Sequence, residues 1–209
     1  MKKKIICSDL NLSKTVLPDV FWQYLKGEND LSFDIMYISL AKKHGVEHRI
    51  NEEYEYLILE NTEILKAINS IYEILTKCHC CSFLVCRYGG NLPWNPPVST
   101  SNLYFQQKAY DFLNSLSKKY SGMILLEMSS EVKDFLEAFI TFPTIFRTYN
   151  IYMFCTSCPL IIEISHHLDM FFYSMSNEIS EKIIHSCQND PDIASCFRNG
   201  IVHLPPNAN

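Results

Sequence analysis

Nine cysteines and seven histidines carry most of the reactive side chains of this 209-residue chain. Two groups have the spacing of metal ligands: Cys78, His79, Cys80 and Cys81 stand together with Cys86 nearby, and Cys155 and Cys158 form a Cys-x-x-Cys pair. Zinc takes four nitrogen or sulfur ligands in a tetrahedron, commonly as two pairs from two segments. Cys155 and Cys158 on a tight turn would be one half-site, and Cys78 with Cys80 or Cys81 the other. Neighbours in an extended segment project to opposite sides, so Cys80 and Cys81 would not both face one ion. The simpler reading is reduced thiols, several buried as small hydrophobes. The expectation for cofactors is therefore none, with zinc on Cys78, Cys80, Cys155 and Cys158 as the one candidate.

Other thiol chemistries fit less well. A thioredoxin-like pair needs its first cysteine at a helix start, where the dipole lowers its pKa, but Leu160, Ile161 and Ile162 after the pair read as a strand. A Cys/His nucleophile near Cys78 to Cys86, beside a loop carrying Trp94, is the enzymatic alternative. No cysteine sits in a protease signature. No nucleophile elbow, phosphate loop, His-Glu-x-x-His or dinucleotide fingerprint is present. His44 and His48 are separated by Gly45, a helix stop, and His166 and His167 are strand neighbours facing opposite sides. The expectation is a protein that is not an enzyme.

Charge narrows the partners. Eighteen Lys and Arg against 23 Asp and Glu give a net −5. Nucleic-acid binders usually carry a basic excess, and the one basic cluster here is Lys2, Lys3 and Lys4, so no nucleic-acid partner is expected. The run Glu52, Glu53, Glu55, Glu60 and Glu63 contains no basic residue and is interleaved with Tyr54 and Tyr56. Such a patch suits a basic protein, with charge steering encounter and tyrosines anchoring it. No stretch approaches the ~20 apolar residues of a membrane span. The run Ile5 to Cys7 is too short for a signal-peptide core, so a cytoplasmic location is expected and no membrane partner.

Alternating strands and helices must position these residues. Strands are predicted at 4–8, 54–59, 81–86, 123–128 and 150–154, and a long one at 160–173. Helices are predicted at 18–26, 33–44, 61–77, 102–118, 129–142 and 177–187. In 61–77, Ile64, Leu65, Ile68, Ile71, Tyr72 and Leu75 fall on one face. Ser129 or Ser130, and Ser176, have the chemistry of N-caps. A Gly/Pro-rich loop spans 87–101 and a polar tail frays at 203–209. In 160–173, Glu163, His167 and Asp169 alternate with apolar residues, as on a half-exposed antiparallel strand. The order implies an α/β (or α+β) fold: a single domain over 1–209 with a mixed sheet, parallel in its middle, helices packed on it, and an antiparallel C-terminal hairpin.

The segment YNIYMFCTSCPLIIEISHHLDMFFY, residues 149–173, resembles a strand-turn-strand pattern in bacterial immunity proteins of polymorphic or contact-dependent toxin systems. The resemblance implies a cytosolic, non-enzymatic inhibitor that occludes the active site of a cognate toxin. From the residues themselves, the expected contact surface is Glu52, Glu53, Glu55, Tyr56 and Glu60 with the polar hairpin face of Glu163, His167 and Asp169.

Overall fold

Helices form where the 3.6-residue period is cleanest and strands where apolar residues alternate. The computed structural model describes residues 6–7, 33–39, 56–87, 123–141, 151–164, 169–193, 195–199 and 201–203. In chain order the elements are β1 (Ile6–Cys7), β2 (Asp34–Ser39), α1 (Tyr56–Lys77), β3 (Ser82–Arg87), β4 (Met123–Glu127), α2 (Ser130–Thr141), β5 (Ile151–Cys155), β6 (Leu160–Ile164), β7 (Asp169–Ser174), α3 (Asn177–Gln188), β8 (Ser195–Arg198) and β9 (Ile201–His203). Among the described residues the strands form one sheet in the order β1-β4-β3-β5-β6-β7-β2-β8-β9. This is an α+β fold.

The core lies between one sheet face and the three helices. Val85, Met153, Ile162, Phe172 and Met36 form a continuous row across five strands. All five are buried, together with Ile68, Ile71, Ile74 and Leu75 of α1, Val132, Phe135 and Leu136 of α2, and Ile183 and Ile184 of α3. The face predicted for α1 is thus the buried one, with Leu65 and Tyr72 packed at its margin. Ser129 caps α2, its hydroxyl accepting from the Glu131 N–H at 3.3 Å, and Ser176 caps α3 by accepting from the Ile179 N–H at 3.4 Å. Leu84, Phe154 and Ile161 form a row on the opposite face and are also buried. No helix among the described residues is long and apolar enough to cross a membrane.

Several expectations are corrected. Among the described residues every strand pair is antiparallel, so the expected parallel middle of a mixed sheet is not found there. Helix-strand alternation does not fix strand direction: β4 begins beside the end at which β3 stops. Residues 34–39, predicted as helix, are strand β2, because Met36 and Ile38 are buried while Ile35 is exposed, a period of two. Residues 56–59, predicted as strand, are the first turn of α1. A short apolar run does not separate the two states by periodicity.

The long strand at 160–173 is two strands, β6 and β7, paired antiparallel. Their partners, Ile162 with Phe172 and Ile164 with Met170, have the same parity. Alternation therefore reads unbroken through the reversal. Residues 195–203 add the ribbon β8–β9, which sequence reasoning missed. The signal was Asn199-Gly200, the dipeptide favoured in two-residue hairpin turns; Arg198 pairs with Ile201 across it, and Asn199 has φ 47°. The helices expected at 18–26 and 102–118, the 87–101 loop beyond Arg87 and the 203–209 tail beyond His203 lie outside the described residues.

Candidate metal centre

Three cysteine sulfurs converge at one corner of the core. The Sγ atoms of Cys80, Cys155 and Cys158 all lie within 4.8 Å of one another. Cys80 and Cys158 are 3.7 Å apart, and the Cys158 thiol donates to the Cys155 sulfur at 3.3 Å. Cys80 and Cys155 are buried and Cys158 is half-buried.

Local structure brings them together. α1 ends in a Schellman motif: the Cys80 N–H donates to the Leu75 carbonyl at 3.1 Å and the His79 N–H to the Thr76 carbonyl at 2.9 Å. His79 supplies the left-handed residue, φ 58°, that this motif needs. The turn aims Cys80 back over the helix end and leads directly into β3. Cys155 ends β5, opposite Phe83 of β3. Extending that antiparallel register backwards sets Ser82 against Thr156, Cys81 against Ser157 and Cys80 against Cys158. The Thr156 N–H donates to the Ser82 carbonyl at 3.0 Å. The Ser157 hydroxyl accepts from the Cys81 N–H at 2.9 Å and donates to the His79 carbonyl at 3.1 Å, tying the helix end to the turn.

Hydrogen bonds divide the protons unequally. Bonds from Cys158 and Cys80, with help from the Ser157 hydroxyl and backbone N–H, hold the Cys155 thiol well below its ordinary pKa despite burial. Bonding to Cys155 raises Cys80 and Cys158, and burial raises both further. Hydrogen bonding and burial thus draw the three thiols apart, Cys155 downward and Cys80 and Cys158 upward. A thiophilic cation bound there would take the place of the thiol protons. Sulfurs at about 2.3 Å from zinc in a tetrahedron stand about 3.8 Å apart, close to the 3.3 and 3.7 Å found here. Two of the three separations match such an ion, and the third is within 4.8 Å.

Of the predicted ligands, Cys80, Cys155 and Cys158 meet and Cys78 does not join them within that distance. Cys78 is buried, and burial pushes its thiol up to about 11. Cys81 is exposed, as opposite projection from Cys80 required. A separate buried pair, Cys187 and Cys196, bridges α3 and β8: its hydrogen bond raises Cys187 and lowers Cys196.

Of the expected partner surface, Glu52, Glu53, Glu55 and His167 lie outside the described residues, Tyr56 and Glu60 are on the N-terminal turns of α1, and Asp169 starts β7 opposite Ser39. Glu163, expected on a water-facing strand face, is only 8% exposed. Its carboxylate accepts from the Tyr173 hydroxyl at 2.6 Å and the Tyr152 hydroxyl at 3.3 Å. Around Glu163 the second face of the sheet is buried at Leu84, Phe154 and Ile161, and the two tyrosines, one on each neighbouring strand, satisfy the buried carboxyl group. Comparison with protein-family models, curated proteins and solved structures gave no match.

Proposed function

We propose that this chain is a binding protein whose fold is cross-linked by a zinc ion on Cys80, Cys155 and Cys158. The observation that carries this reading is the convergence of three sulfurs from two remote segments, at separations close to those of a tetrahedral thiolate site. Ligand to the ion, Cys80 pins the end of α1 and the start of β3 to the β5–β6 turn. Binding by the folded chain alone stabilises it in proportion to the logarithm of free metal, about 4 kcal/mol at a thousand times the Kd. The test is metal analysis of chain purified without a metal-affinity column. One zinc per chain, lost in Cys158→Ser and accompanied by a lower Tm on chelation, is expected; metal-free protein whose Tm ignores added zinc rejects the reading.

The partner reading is a basic protein, a cognate toxin neutralised by occlusion. The net charge of −5 and the resemblance of residues 149–173 support it. Tagged chain at low salt is expected to retain one basic protein in stoichiometric amount and silence its toxicity. Reversing Glu53, Glu55 and Glu60 to Lys is expected to weaken that complex at least tenfold; unchanged binding removes this stretch from the interface.

A further inference from the structure

The three sulfurs are also arranged for oxidation. Cys158 is the member of the cluster open to solvent, and its sulfur touches both others, Cys155 at 3.3 Å and Cys80 at 3.7 Å. Cys155 and Cys158 are separated by two residues on one turn, so a bond between them closes a small ring within that turn. Thr156 and Ser157 hold that turn to the end of α1 and the start of β3, which keeps the sulfurs adjacent while the bond forms. We propose that Cys155 and Cys158 form a hydroperoxide-sensitive dithiol, whose disulfide dismantles the three-sulfur site and releases its metal. The release step rests on the zinc reading above; the disulfide step does not.

The chemistry balances with a hydroperoxide as the two-electron oxidant. The Cys158 sulfur attacks the terminal peroxide oxygen and the O–O bond breaks, leaving Cys158 as a sulfenic acid and, for hydrogen peroxide, one water. The Cys155 sulfur then attacks the Cys158 sulfur. An S–S bond forms, the S–O bond breaks, and the departing hydroxide takes up a proton to leave as the second water. Two sulfurs lose two electrons in all, and the peroxide gains them. Cys80 alone then remains as a ligand, too few to hold zinc. Cys80 also lies beside the new disulfide as a thiol able to exchange onto Cys158.

The test treats the full chain with hydrogen peroxide, once loaded with zinc and once after chelation. Free thiols are then alkylated, disulfides are mapped by peptide mass spectrometry, and released zinc is read with a chromogenic chelator. Both preparations are expected to give a Cys155–Cys158 disulfide, abolished in Cys158→Ser and retained in Cys80→Ser. The loaded chain is expected to release one zinc equivalent in step with it, and dithiol reductant to restore binding. A disulfide mapped to Cys187–Cys196 instead, or sulfinic acid at Cys158 without a disulfide, overturns the proposal, and both are read on the wild-type chain whether or not the variants fold. Disulfide formation in a chain that never binds zinc sinks the metal reading alone. Zinc retained after the disulfide has formed sinks the release step.

Discussion

Cys155 and Cys158 are three residues apart, and their pairing is visible in the sequence. Cys80 is 78 residues from Cys158. Nothing local connects it to the turn, and the choice among Cys78, Cys80 and Cys81 depends on a helix-end conformation. The same limit hid the partners of Asp34. Its carboxylate accepts from the Arg198 Nε–H at 2.9 Å, from a second Arg198 nitrogen, and from the Asn199 side-chain amide at 2.8 Å. The Arg198 hydrogen bonds hold the Asp34 carboxyl below its ordinary pKa. Because the folded pKa is the lower one, this contribution is fully present above the unfolded value of about 3.9 and is lost as pH falls through the folded value. Asp34→Asn is expected to cost about 1.5–3 kcal/mol at pH 7, the usual range for hydrogen bonds to a charged group. Urea unfolding of chelated protein checks it: the gap between wild type and variant should narrow as pH falls below about 3.9, and a gap independent of pH would show that the charge is not what matters.

At the scale of elements, the long apolar stripes of α1 and α3 and the buried runs at 81–86, 123–128 and 150–154 were legible as helices and strands, and the short segment 34–39 was not. α1 and α3 were readable because their apolar stripes span several turns and Ser176 has cap chemistry. β2 was misread because its six residues fit either period, and only its two flanking partners, β7 and β8, decide for the strand. The reversal between β6 and β7 was invisible because equal parity carries the alternation across it. The end of α1 carries a prediction of its own. His79 occupies a left-handed conformation that costs a non-glycine residue roughly 1–2 kcal/mol, partly offset in a His79→Gly variant by the extra freedom of glycine in the unfolded chain. That variant is expected to raise stability by about 0.5–1 kcal/mol with zinc binding unchanged, by denaturant melts with and without chelator. A loss of stability would mean that the His79 side chain contributes more than its backbone costs.

For the whole molecule, one antiparallel sheet joins segments from both ends of the chain. Arg198 of β8 closes onto Asp34 of β2 and onto Glu181 and Asn177 of α3. Hydrogen bonds of Thr156 and Ser157 likewise join the end of α1, the start of β3 and the β5–β6 turn beside the three sulfurs. The α+β class, the acidic balance and one half of the sulfur site were legible in the sequence. Strand order and the burial of Glu163 were not, since both follow from contacts between distant segments. The most direct test is the zinc content of the wild-type chain beside Cys80→Ser, Cys155→Ser and Cys158→Ser, each purified without a metal-affinity column. One equivalent in the wild type and sharply reduced occupancy in all three variants is the predicted result. A wild-type chain without zinc, or three variants that keep it, would contradict a metal centre at these sulfurs.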